Sequence, residues 1–180
     1  MRTIAITTAT ATALAALALA ACGASNARLS SYQARDQRAA SQLATFDQLD
    51  FDVFTNQRWT DLHLSHAADI VVHWPDGHTT TGLDVHTKDL QAMFVYAPDT
   101  RIKEHPIKIG DGEWTAVVGV MEGTFTQPMP LPDGSSIPPT GKAFKLTMTT
   151  VGHWNADGTM SEEYLFWDNA TFMRQLGLAP

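Results

Sequence analysis

Apolar positions in the first half of the chain recur every three or four residues. Ala39, Leu43, Phe46, Leu49 and Val53 share one helical face within a run of helix formers from about Tyr32 to Phe54. Asn56 reads as the cap of a second helix, with Trp59, Leu62 and His66 along one side. Ile70-Val71-Val72-His73-Trp74 is short and β-branched, so it predicts a strand, and Pro75-Asp76-Gly77 predicts a turn. Gly82 precedes a third helical segment over roughly Leu83 to Val95, closed by Ala97-Pro98-Asp99.

The period then changes to two. Arg101–Ile109, Trp114–Phe125, Ala143–Trp154 and Met160–Trp167 read as long strands. Asp111-Gly112 and the run from Asn155 to Gly158 are hairpin turns. The Pro-rich stretch from Thr126 to Gly141 is a loop or hairpin extension. Asp168 opens a terminal helix, with Gly177 after its last turn. Helices first and an antiparallel meander second give an α+β class. A bent sheet wrapped round a long helix makes a cone-shaped fold, and its apolar mouth is a natural small-molecule pocket.

The extreme N-terminus follows a different pattern. Met1-Arg2 is followed by an uncharged, Ala/Leu-rich stretch from Thr3 to Ala21, the layout of a secretory signal. Leu19-Ala20-Ala21-Cys22 resembles the lipobox of bacterial lipoproteins, in which cleavage precedes a cysteine that becomes lipidated. Cys22 is the only cysteine among 180 residues, which excludes a disulfide framework and a multi-cysteine metal site. The expected division is a signal peptide over 1–21, a lipidated cysteine and tether over 22–31, and one domain over 32–180. Gly23 rather than Asp after the cysteine resembles the outer-membrane signal of Gram-negative lipoproteins. The expected location is therefore the cell envelope, outside the cytoplasm. The net charge of −7 with no basic run argues against nucleic acid as a partner.

The order of elements resembles the nuclear-transport-factor-2-like cone. Within it the chain resembles the SnoaL-like polyketide cyclases and their ester cyclase relatives. The residues carrying the resemblance are Trp74-Pro75-Asp76-Gly77 before Gly82, Ala97-Pro98-Asp99, and the ending Trp167-Asp168-Asn169 with Gln175-Leu176-Gly177. It runs from about Phe46 to Leu178. It implies proton transfer next to a carbonyl without metal or organic cofactor, with Asp168 matching the general acid/base at the end of the last strand. Where the family often has Glu-His-Trp, this chain has Glu162-Glu163-Tyr164. The implied partner is a small apolar or aromatic carbonyl ligand, and a homodimer through the outer sheet face is open.

Several side chains carry candidate chemistry. Asp168 stands among aromatic residues, which would raise its pKa, but Asp is also a preferred helix cap, and a capping carboxylate is a weaker base. In the last strand Glu162, Tyr164 and Phe166 form one row, and Glu163, Leu165 and Trp167 the other. A carboxylate inside the cone needs a partner, and His66 or His73 is the candidate. Asp168, Glu163, His66 and His73 are thus the catalytic candidates. Trp59, Trp74, Phe94, Met148 and Phe166 are the expected pocket wall. His63 and His66 fall on neighbouring faces of the expected second helix, but no Glu follows in an HExxH arrangement, so no metal site is expected. His86 and Asp89 are spaced to pair with each other along the third helix, and His105, next to Pro106, reads as structural. A non-catalytic binding domain would use the same cone with an apolar wall alone.

Overall fold

A computed structural model describes the backbone from Ala9 and the side chains from Asn26 through Pro180. The expected signal peptide and Cys22 lie outside the residues described in full. Helix α1 (Ala9–Gln48) runs without a break through the stretch expected as a tether, and side chains from Asn26 to Arg38 are exposed. The apolar face takes hold further on: Ala39, Phe46, Leu49 and Val53 are buried at helical spacing. Among the described residues no helix is long and apolar enough to cross a membrane.

The chain then departs from the expected second helix. α1 widens into a π-helical turn over Leu49–Phe54 and is followed only by a 3₁₀ segment over Trp59–Leu64. Asn56 caps nothing; its amide donates back to the Asp52 carbonyl at 2.9 Å. His66, expected on a helix, opens strand β1 (His66–His73) instead. The β-branched Ile70, Val71 and Val72 pull the chain extended sooner than the Trp59/Leu62/His66 spacing indicates. After the short strand β2 (Thr79–Thr81) comes α2 (Leu83–Tyr96).

The remaining strands follow the two-residue period. β3 (Arg101–Ile102) and β4 (Ile107–Asp111) divide what was expected as one strand, with the break at His105-Pro106. β5 (Trp114–Thr124) buries Thr115, Val117 and Met121 on alternate positions. The loop that follows contains a small ribbon, β6 (Met129–Pro130) with β7 (Ser136–Ile137). β8 (Ala143–Trp154) and β9 (Met160–Trp167) complete the sheet, and α3 (Asn169–Leu176) ends the fold. Gly177 takes a left-handed conformation, φ 77°, to close α3.

The sheet order is β2-β1-β9-β8-β5-β3, with β4 also on β5. It is not wholly antiparallel: β1 runs parallel to β9, with a register irregularity between His66 and Val71. This mixed sheet curves round α1 without closing. Two apolar clusters fill its concave side. Phe46, Ile70, Val117 and Trp154 belong to one, and Phe94, Met121, Phe125 and Phe172 to the other. Trp59, Leu90, Met148 and Trp167 touch both.

α1 sits close to β4 because both lack bulk at the crossing. A methyl added at Gly110 would lie 2.9 Å from the Ala39 methyl. We therefore expect Gly110→Ala to destabilise the fold by about 1–3 kcal/mol through overpacking. Combining it with Ala39→Gly should lose less than the sum of the single changes. Urea denaturation of the four proteins checks this.

Candidate active site

The junction of the two clusters leaves a cavity of about 50 Å³, room for a few water molecules. Its wall is largely apolar: Leu49, Phe54, Leu90, Met121, Met148 and Leu165, among others, line it. Trp74 and Trp167 meet edge to face at 6.4 Å on its rim. Into this apolar space project four ionisable side chains: Asp50, His66, His86 and Glu163.

Each comes from a different element. Glu163 belongs to the inward row of β9, with Leu165 and Trp167. His66 is the first residue of β1 and His86 sits in the first turns of α2. Asp50 is delivered by the π-helical turn after α1. Glu163 Oε2 lies 3.3 Å from His86 Nε2 and 3.9 Å from His66 Nε2. Neither approach is aligned as a hydrogen bond, so Glu163 Oε2 and His66 Nε2 stay buried without partners among the described residues. The His66 and His86 rings are 5.1 Å apart.

Burial sets the protonation of this group. It pushes the Glu163 carboxyl up to about 8, helped by the nearby Asp50 charge. It pulls His66 down to about 4, against a hydrogen bond to the Leu62 carbonyl. His86 is held well below the usual imidazole range, by burial first and the neighbouring His66 second. At neutral pH the stable form is uncharged: a carboxylic acid between two neutral imidazoles. His66 Nδ1 lies 3.2 Å from the Leu62 carbonyl oxygen and 2.9 Å from the Ser65 hydroxyl. Donation of Nδ1–H to the carbonyl leaves Nε2 as a bare lone pair facing the cavity.

Behind Asp50 stands a charged relay. His105 Nε2 donates to Asp50 at 2.8 Å, and its Nδ1 donates to Asp47 at 2.7 Å. Lys108 donates to the same Asp47 at 2.6 Å. Burial pulls the His105 pKa down, but the two carboxylates outweigh it and hold the ring above its ordinary value. Phe51 and Phe46 pack against this imidazole.

The other expected site residues fall elsewhere. Asp168 is exposed and caps α3, accepting from the Thr171 amide at 3.0 Å. Its hydrogen bonds from the Thr171 side chain and backbone hold its carboxyl below the usual range, the opposite of a poised base. His73 points to the outer sheet face, where it meets Glu162 at 2.8 Å and stacks on Tyr164. Phe166 is exposed, because it shares the outward row of β9 with Glu162 and Tyr164. Trp59 and Phe94 pack on each other and on Phe54 in the core rather than lining the cavity. Of the expected wall, Trp74 and Met148 line it. His63 is exposed and its Nδ1 lies 2.7 Å from the Thr60 carbonyl oxygen. His86 does not pair with Asp89: among the described residues, His86 Nδ1 and Asp89 Oδ2 are both buried without hydrogen-bond partners.

His86, Asp50 and His105 are the residues that sequence reasoning missed. His86 follows Gly82 by four positions, at the start of a helix over the strands, and that placement was the available signal. Asp50 carried none, because an α-helical reading gives no reason to turn it inward.

The SnoaL-like polyketide cyclase model matches residues 44–176, and the chain belongs to that family. Solved structures show the same fold at low identity. IdmH from Streptomyces antibioticus is 22% identical over 77% of this chain and 98% of its own, with a TM-score of 0.62. A SnoaL-like protein from Jannaschia sp. CCS1 is 16% identical over 78% and 94%, with a TM-score of 0.66. A protein from Catenulispora acidiphila with a ketosteroid isomerase-like fold, solved with trimethylamine, is 14% identical over 71% and 88%, with a TM-score of 0.56. No curated protein sequence matches the chain at a significant level.

The buried groups predict a pH signature. Glu163 has a raised folded pKa, so its contribution to stability is full below about 4.5 and is lost as pH rises toward 8. His66 has a depressed folded pKa, so its contribution is full above 6.5 and is lost as pH falls toward 4. Above pH 6.5 the Glu163 effect stands without opposition from His66, and His105 adds to it in the same direction. Thermal melts of the wild type should therefore fall between pH 6.5 and 8. Glu163→Gln should fall less steeply over that interval, and an equal slope would contradict the burial assignment.

Proposed function

We propose that this protein is a proton-transfer enzyme of the cyclase or isomerase type, acting on a small apolar or aromatic carbonyl compound. The observation that carries the reading is Glu163: a buried, unpartnered carboxyl facing an apolar cavity, 3.3 Å from an imidazole. A carboxyl with a pKa near 8 takes a proton from a carbon acid far better than an exposed one, and near neutral pH it also returns that proton. In the ionised form Glu163 Oε2 removes the proton alpha to the carbonyl, and the C–H electron pair moves into the enolate. The developing charge on oxygen requires a donor. His86 Nε2–H, 3.3 Å from Glu163 Oε2, would supply it. Neutral histidine suits this role, since it donates without adding a charge to a dry site.

The cavity is small for a multi-ring substrate, but part of its wall is methionine. Met93, Met121 and Met148 line it, and unbranched thioether chains reshape at little cost. Asp168 has no part in this reading. The test is solvent deuterium incorporation alpha to the carbonyl of aryl 1,3-diketones, followed by NMR. Exchange should rise with pH toward 8, fall by roughly 10²–10⁴-fold in Glu163→Gln, and stay unchanged in Asp168→Asn. Diketone binding without any accelerated exchange would favour the binding-domain reading instead, for which the apolar wall is the supporting observation.

We also propose that the domain is carried on the outer face of a membrane by lipid on Cys22. The lone cysteine in Leu19-Ala20-Ala21-Cys22 supports this, as does the exposed helical stretch Asn26–Ala34, which precedes the first anchoring ion pair of α1, Arg35 to Asp111. In a bacterial host the protein should partition into detergent, and intact mass should show a diacylglyceryl group on Cys22. Cys22→Ala should abolish both, and an unmodified, water-partitioning wild type would refute the anchor.

A further inference from the structure

We infer that His66, His86 and Glu163 form a binding site for one divalent transition-metal ion of the zinc class. One ligand atom from each of the three lies within 4.8 Å of the other two, and all three residues are buried. Four-coordinate zinc with bonds of about 2.0–2.1 Å holds its donor atoms roughly 3.3 Å apart. The Glu163–His86 separation of 3.3 Å already matches that edge, and the Glu163–His66 separation of 3.9 Å closes to it with a small side-chain movement.

The unpartnered atoms point the same way. His66 Nε2 and Glu163 Oε2 are buried with no hydrogen-bond partner among the described residues, which is rare for polar atoms in a folded interior. A shared cation would satisfy both at once. His66 also has the outer support typical of a metal-bound imidazole. Its Nδ1 is tied to the Leu62 carbonyl and Ser65 hydroxyl, fixing the ring with Nε2 turned inward. The donors sit on two strands and a helix, so the site is held by the frame of the fold rather than by loops.

The donor set selects the ion. Two imidazoles and one carboxylate suit zinc, cobalt, nickel or iron(II), and not magnesium or calcium, which require mostly oxygen. Three protein ligands leave a coordination position open toward the cavity. Binding needs ionised Glu163, so an ion and a proton compete for the same oxygen. This inference is independent of the proton-transfer reading, which concerns the metal-free carboxyl.

The experiment is titration of the chelator-treated full chain with Zn²⁺ alone by calorimetry, and with Co²⁺ alone by visible absorption. Zinc should bind one ion per chain and release about one proton near neutral pH, with affinity rising from pH 6 to 8. Co²⁺ should give the intense ligand-field band of a low-coordinate site. Zn²⁺ should also shift the imidazole ¹⁵N signals of His66 and His86 but not those of His73 or His105. Glu163→Gln and His86→Asn should weaken binding roughly tenfold or more, while His73→Gln leaves it unchanged. No saturable binding, binding without proton release, or shifts confined to other histidines would overturn the inference, even if the variants do not fold. Failure here leaves deuterium exchange by the metal-free protein untouched, so the two readings fail separately.

Discussion

Removal of water from the Glu163 carboxyl is the constraint on which the rest of this molecule depends. A carboxylate in contact with solvent would be ionised and weakly basic. Surrounded by Leu49, Met121, Met148 and Leu165 it keeps its proton into the neutral range, and the two imidazoles near it stay uncharged for the same reason. The two apolar clusters are therefore more than ballast. They are the dielectric in which three ordinary side chains acquire unusual acidities.

The contrast within β9 shows how local this effect is. Glu162 and Glu163 are adjacent in sequence and lie on opposite sides of one strand. Glu162 accepts from Tyr164 and from His73 on the outer face, and these bonds hold its carboxyl below the usual range. Glu163, one residue on, is pushed in the opposite direction. Strand alternation alone separates a conventional surface ion pair from a buried acid.

Much of the fold was legible in the sequence. The two-residue period located β5, β8 and β9 almost to the residue, and Gly82 marked the start of α2. The site was legible only in part. The two rows of β9 were visible, but which row faced inward depended on pairing with a distant, parallel β1. His66 reaches the cavity from strand β1, not from the helix its spacing with Trp59 and Leu62 implies. Asp168 illustrates the limit from the other side. Its aromatic neighbours in sequence implied an apolar setting, yet in space it faces solvent and the Thr171 amide. Local sequence reports the period of a segment; what lies opposite it is set by partners many residues away, as His105 and Asp50 are, 55 positions apart.

The wide turn at Leu49–Phe54 ties two properties together that need not have been linked. A π-helical turn amounts to a residue inserted into an α-helix, and such insertions are frequent at functional sites. Upstream of it, Ala39, Gln42 and Phe46 lie against the sheet; within it, Asp50 reaches the cavity and, with Asp47, clasps His105. Loss of one residue here would rotate one half of the helix relative to the other by about 100°. Either the packed face or the cavity acid would leave its place. The length of this segment is thus under two simultaneous demands, and drift by insertion or deletion is blocked at a position where the surface gives no outward sign of it.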